Sequence, residues 1–127
     1  MGCAVACVAS RCGLSYAEGL ALFAQPRHAW TRGYYCEEVV EAFARAGRSY
    51  AFAAYDFLRH RALLDQPGTI VFQASSETYP AGHYFLRVPA GWMNPWSNFP
   101  RIHPVESRIE PSLADPPAYL IYASEKA

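Results

Sequence analysis

The first third of the chain has the apolar spacing of helices. Residues 3–11 carry a single charge, at their far end, so they predict a helix that is apolar on almost every side and lies in the middle of a domain. Gly13 is expected to end this helix. Ser15, followed by Glu18 three positions later, is typical of a capping box and predicts a second helix over about 16–24.

After a third helix, expected over about 36–46, the pattern changes to that of strands. A short helix is still expected over 57–64. The segments with the composition of strands are 50–55, 69–74, 83–88, 92–93 and 118–122. The Pro-rich stretch 100–117 is predicted to be a surface connection. Helices followed by an antiparallel sheet predict one α+β domain over residues 1–127.

Composition and charge exclude several classes of protein. Of the 127 residues 52% are hydrophobic and 17% are charged, which suits one domain with a substantial core and excludes a disordered tail. Lys plus Arg and Asp plus Glu both total 11, and no run of like charge suggests a nucleic-acid groove. No segment approaches the roughly 18 apolar residues of a membrane span, and no basic leader stands at the start. We therefore expect a cytoplasmic protein with no nucleic-acid and no membrane partner.

Four cysteines crowd the first part of the chain, and their spacing limits their roles. They are Cys3, Cys7, Cys12 and Cys36. Without a secretory signal, a disulfide framework loses its main support. A structural zinc site needs two close pairs of ligands, which this spacing does not provide. The sequence predicts no metal and no cofactor, and it leaves buried thiols or one reactive thiol as the alternatives.

Three residues could carry nucleophilic chemistry. Cys3 lies in the first turn of the apolar helix, where unpaired N–H groups and the positive end of the dipole favour a thiolate. His83 begins a strand after Gly82, whose small size is expected to leave room for a substrate. Asn94 follows on the adjacent strand and supplies an amide oxygen that can orient the imidazole. The order Cys, His, Asn is the order of a cysteine acyl-transfer enzyme.

Each of these residues also has a structural explanation. A cysteine in an apolar helix is commonly a small buried hydrophobe, a histidine in a strand is commonly a hydrogen-bonded structural residue, and Asn-Pro is commonly a turn. The other candidates are weaker. His28, His60 and His103 are expected to face solvent, and Cys12 and Cys36 are expected to be structural.

Several segments resemble one peptidase family. Gly-Cys-Ala-Val-Ala-Cys-Val-Ala at 2–9 is similar to the nucleophile-bearing helix of the bacteriocin-processing, double-glycine-leader cysteine peptidases and their standalone papain-like relatives. Gly-His-Tyr-Phe-Leu-Arg-Val at 82–88 resembles their histidine-bearing strand, and Gly-Trp-Met-Asn-Pro-Trp at 91–96 resembles their Asp-Pro turn. The segments 14–18 and 33–36 also fit the second helix and the start of the third.

The resemblance implies a papain-like fold, with the nucleophile at the start of a central helix packed on a small antiparallel sheet. It implies Cys3 as nucleophile, His83 as general base and acid, and Asn94 as the orienting residue. The expected reaction is cleavage of a peptide or isopeptide bond through a thioester. The expected partner is a peptide or protein substrate, and the oligomeric state is left open.

Three departures from the family pattern keep alternatives open. Asn94 stands where the family has an acid, and Ala4 stands where it has a glycine. The family's oxyanion-hole Gln lies several residues before the nucleophile, whereas only two residues precede Cys3 here. One such donor is worth about a hundredfold or more in rate. We expect a protein that is longer at this end, or another donor, or a catalytically inactive papain-like module that binds peptides or partners. A structural α+β domain with inert thiols is the third reading.

Overall fold

Helices dominate the first half of the chain, as the hydrophobic pattern predicts. The computed structural model describes residues 2–74, 82–95, 107–113 and 115–124, and the structural statements below concern these residues. The α-helices are α1 (Cys3–Cys12), α2 (Tyr16–Leu20), α3 (Cys36–Arg45) and α4 (Phe57–His60), with 3₁₀ helices at Pro26–Trp30 and Arg61–Asp65.

The local helix signals are confirmed, with two differences. The helix expected over 57–64 is the four-residue α4, continued by the 3₁₀ helix Arg61–Asp65. α1 and α3 match their predicted ranges to within one residue, and Gly13 ends α1 in the left-handed conformation. In the capping box, the Ser15 hydroxyl accepts a hydrogen bond from the Glu18 N–H and the Glu18 carboxylate accepts one from the Ser15 N–H. The second helix is shorter than predicted, because the chain tightens after Leu20 into turns that carry Phe23 into the core.

The strands form one antiparallel sheet of six. They are β1 (Tyr50–Ala54), β2 (Ile70–Gln73), β3 (His83–Val88), β4 (Gly91–Asn94), β5 (Arg108–Glu110) and β6 (Tyr119–Ala123). Their order across the sheet is β1-β6-β2-β3-β4-β5, and every neighbouring pair is antiparallel. The α+β class is therefore confirmed.

One prediction about the end of the sheet is wrong, and one strand boundary differs by one residue. The stretch 100–117 is not simply a surface connection, because Arg108–Glu110 pairs with β4 and forms the edge strand β5. The strand expected at 92–93 extends to Asn94, so that residue ends β4 and the turn begins at Pro95; β4 is adjacent to β3, as expected. Both differences arise from the pairing of β4 with β5. This pairing makes Arg108–Glu110 a strand, and it keeps Asn94, which lies opposite Arg108, within β4.

The core lies between α1, α3 and the sheet. α1 contacts α2, α3 and β3, so it is the central helix, and its Val5 and Val8 side chains are fully buried. Phe43 of α3 stacks on Tyr50 of β1 with ring centroids 3.7 Å apart. A second, smaller cluster covers the opposite face of the sheet. Among the described residues, no helix combines the length and apolar character needed to cross a membrane.

Candidate active site

Cys3 is the first residue of α1, and its thiol is enclosed by backbone donors. The residue is 7% exposed, and the backbone N–H groups of Tyr84, Ala4 and Cys3 itself act to lower the pKa of its thiol. Burial raises the pKa of the Cys3 thiol, and the three donors offset this effect only in part. Burial of the thiol therefore acts against the thiolate expected at this helix terminus.

His83 and Asn94 form a buried pair. His83 opens β3 and Asn94 closes β4, and the His83 Nε2 atom lies 2.8 Å from the Asn94 Oδ1 atom. Each residue is only 3% exposed. The His83 ring also meets the ring of Phe85 edge to face, with centroids 5.0 Å apart. A buried hydrogen bond of this length, with packing beside it, holds the imidazole in one orientation.

The imidazole of His83 is neutral near pH 7. Burial lowers its pKa to about 4, although the hydrogen bond to Asn94 and the carboxylate of Glu110 both act in the opposite direction. The protonated form cannot recover in this site the hydration that it has in water. His83 and Cys3 are therefore both uncharged at rest, which differs from a thiolate–imidazolium pair.

The backbone of β3 connects the nucleophile candidate to the base candidate. The Tyr84 N–H that approaches the Cys3 sulfur belongs to the residue directly after His83. Tyr84 is itself held firmly, since its hydroxyl donates to the Tyr34 carbonyl at 2.7 Å and it is 3% exposed. The structure thus joins His83 and Asn94 directly, and it places Cys3 on the helix that packs against the strand of His83.

Gly82 serves a different purpose from the one expected. Its φ of +84° lies in the region that favours glycine, and an added Cβ would collide with the ring of Phe72 and lie 2.9 Å from the Gln73 carbonyl. The space beside Gly82 is filled by β2, so it does not provide room for a substrate. Gly82 instead lets β2 approach the start of β3, and it thereby positions His83.

Sequence reasoning missed one residue of this site. The Asn94 Nδ2 atom donates to the Glu110 Oε2 atom at 2.5 Å, and Glu110 lies on the edge strand β5. Arg108 lies on the same strand, with its Nε atom 3.9 Å from the same carboxylate oxygen. Three residues beside a proline give too short an alternation to predict a strand, so no local signal marked Glu110.

The remaining candidates lie outside this arrangement. His28 and His60 are half-buried rather than exposed: the His28 Nδ1 atom is 3.5 Å from a Glu38 carboxylate oxygen, and the His60 Nδ1 atom accepts a hydrogen bond from the Asp56 N–H. His103 lies outside the described residues.

Cys12 and Cys36 are half-buried free thiols. The part of the chain that the structure describes contains no group of three or more His, Cys, Asp or Glu side chains that could hold a metal ion. Compared with protein-family models, with curated proteins and with solved structures, the chain matches none.

Proposed function

We propose that this protein is a papain-like cysteine hydrolase that cleaves peptide or isopeptide bonds. Cys3 is the nucleophile, His83 the general base and acid, and Asn94 the residue that orients His83. The observation that carries the proposal is the buried His83–Asn94 hydrogen bond on β3, the strand against which α1 packs with Cys3 at its first position. A buried titratable side chain with a shifted pKa and a fixed orientation is typical of catalytic sites, which supports the proposal.

The uncharged resting state suits a general-base mechanism. Because Asn94 occupies Nε2, the Nδ1 atom of His83 takes the proton of Cys3 while the sulfur attacks the carbonyl carbon. The imidazolium then gives that proton to the leaving amine, the C–N bond breaks, and a thioester remains. A water molecule deprotonated by His83 attacks the thioester, which releases the carboxylic acid and restores the thiol.

The start of α1 can stabilise the negative charge that develops on the carbonyl oxygen. Cys3 is the first helical residue, so its N–H has no acceptor within the helix, and the dipole of α1 favours negative charge there. An N–H fixed in a dry site costs no reorganisation when charge appears on the substrate. This donor supports catalysis without the glutamine that the resembling family uses.

The alternative function is an inactive module that binds peptides. It is supported by the burial of Cys3 and by a cavity of about 340 Å³ that Tyr84 helps to line. The cavity is lined mainly by aromatic side chains, three of which, Tyr35, Phe52 and Tyr119, are substantially exposed. An apolar pocket of this size can hold a side chain of a bound peptide without any chemistry at Cys3.

One experiment separates the two functions. The protein is incubated with a peptide library made from a digested proteome, and new amino termini are identified by mass spectrometry. The wild type and Cys36→Ser should generate the same new termini, and Cys3→Ser should generate none. Cleavage that persists in Cys3→Ser would refute the proposed nucleophile. Retention of peptides by the wild type and Cys3→Ser alike, without cleavage by either, would favour the binding module.

A further inference from the structure

Glu110 completes a chain of hydrogen bonds that begins at His83. Asn94 is the link: its Oδ1 atom is 2.8 Å from the His83 ring and its Nδ2 atom is 2.5 Å from the Glu110 carboxylate. The pleat of the sheet aligns all three, since Asn94 lies opposite Arg108 on β5 and Glu110 lies diagonally across from it.

The chemistry of the Asn94 amide determines which group donates and which group accepts in each of these two hydrogen bonds. An ionised carboxylate can only accept hydrogen bonds, so the group that Asn94 turns toward Glu110 must be its NH₂. The amide oxygen must then face His83, where it can only accept. The Nε2 atom of His83 therefore carries a hydrogen, and the neutral ring keeps its lone pair on Nδ1.

The shape of Asn94 alone does not determine which end of its amide faces His83. Its oxygen and NH₂ have nearly the same shape, and a half-turn of the amide would present a donor to Nε2. The ring would then carry its hydrogen on Nδ1, the nitrogen that has to receive the thiol proton. An aspartate at this position would need no such control, because both of its oxygens accept.

The fold holds Glu110 close to Asn94. Gly91, at the start of β4, has a φ of +150°, and a Cβ there would collide with the Glu110 carbonyl oxygen, so only glycine lets β5 approach this closely. The side chain of Glu110 is 24% exposed, and the Arg108 Nε atom lies 3.9 Å from its carboxylate.

We infer that Glu110 is a positioning residue that locks the amide orientation of Asn94 and thereby assigns the hydrogen of neutral His83 to Nε2. Its catalytic consequence rests on the proposed function, because it leaves Nδ1 able to deprotonate Cys3. The effect on the imidazole itself does not depend on that function.

The test reads the His83 ring directly. Protein labelled with ¹⁵N-histidine is examined at neutral pH by long-range ¹H–¹⁵N correlation, which distinguishes the protonated ring nitrogen from the bare one. In the wild type, Nε2 should carry the hydrogen. Glu110→Ala should shift the signals of both ring nitrogens away from their wild-type values, because the carboxylate that accepts from the Asn94 NH₂ is removed. Glu110→Gln should keep most of the wild-type pattern, since its amide oxygen can still accept from Asn94.

Two results would overturn the inference. One is a wild-type pattern in Glu110→Ala, and the other is an equal shift in Glu110→Ala and Glu110→Gln. Circular dichroism and urea unfolding establish that each variant is folded. If cleavage is observed, kcat/KM of Glu110→Ala should fall by about 10-fold, the low end of the cost of losing an outer hydrogen-bond partner. If the wild type cleaves nothing but the ring shifts occur, the inference stands and the proposed function fails.

A second variant uses charge and remains informative if Glu110→Ala does not fold. Asn94→Asp puts a carboxylate against the carboxylate of Glu110, so like charges meet in a buried site. Asn94→Asp should therefore lower the free energy of unfolding, although aspartate is the family's residue at this position. Glu110→Gln should restore part of that free energy when the two substitutions are combined. Additive effects of the two substitutions on the free energy of unfolding would show that the side chains do not interact, contrary to the inference.

Discussion

Two cysteines occupy the same place in two helices, and their surroundings differ. Cys3 is the first residue of α1 and Cys36 is the first residue of α3, and both helices are ten residues long. Both thiols also meet Tyr84: Cys3 meets its backbone N–H, and Cys36 lies 3.8 Å from its hydroxyl. Burial is the main cause that raises the pKa of each thiol.

The two thiols differ in the charged and hydrogen-bonding groups near them. The first turn of α3 contains Glu37 and Glu38, and Glu37 further raises the pKa of Cys36, whereas the first turn of α1 has no acidic residue. The helix that carries Cys3 packs against the strand of His83, whereas Cys36 meets that strand at the Tyr84 hydroxyl. A helix terminus alone does not make a cysteine a nucleophile, and under the proposed function the histidine on the neighbouring strand is what distinguishes the two sites.

The largest expected effect comes from removing each thiol in turn. Cys3→Ala should reduce peptide cleavage by at least about 10³-fold, because the covalent intermediate cannot form. Cys36→Ala should change kcat/KM by less than about threefold, since surface-near substitutions away from the chemistry have small effects. Steady-state cleavage assays compare the two variants. Equal losses in both would show that the cysteines are not functionally different.

The base is tested by replacing His83. His83→Gln should lower kcat/KM by about 10²–10³-fold, the usual contribution of a general base. In the wild type, kcat/KM should rise with pH through about 4, because burial lowers the pKa of His83 to that value and the neutral ring is the active form. A rise centred near pH 6.5 instead would mean that His83 is not buried as described.

The same pKa predicts how stability depends on pH. Between about pH 6.5 and pH 4 the unfolded chain binds a proton at His83 and the folded protein does not. The free energy of unfolding should therefore fall as pH decreases through this window, by up to about 3 kcal/mol from His83. Urea unfolding at both limits measures it, and His83→Gln should show a smaller pH dependence than the wild type. An identical dependence in the two proteins would contradict the prediction.

The smallest expected effect concerns Cys36. Glu37→Gln removes a negative charge beside that thiol, so the pKa of Cys36 should fall and its alkylation by iodoacetamide near pH 8 should accelerate about two- to fourfold. Cys3 should react as before. Peptide mass spectrometry quantifies both sites in one sample, and acceleration at Cys3 as well would point to a change in the whole fold.

Local signals in the sequence were sufficient for the helices and for the choice of His83 and Asn94 as candidates. α1 follows from an uninterrupted apolar stretch, and the capping box at Ser15 needs only its own neighbours. The structure pairs His83 with Asn94, as the hypothesis of an oriented imidazole requires.

Features that depend on distant parts of the chain could not be predicted. β5 exists because it pairs with β4, so Glu110 has no local signal. The helix dipole at Cys3 is a local property, whereas the burial that outweighs it arises from packing against β3. The space beside Gly82 is likewise filled by Phe72, a residue of another strand.

The most direct test of the central claim is to locate the acyl group after a brief reaction with an activated ester. The protein is mixed with a p-nitrophenyl ester of a blocked dipeptide, quenched in acid, and digested for mass spectrometry. The account predicts a thioester on Cys3 that exceeds any on Cys36 by at least about 10-fold, and that is lost in His83→Gln. Equal acylation of the two cysteines, or acylation of Cys3 that does not depend on His83, would contradict it.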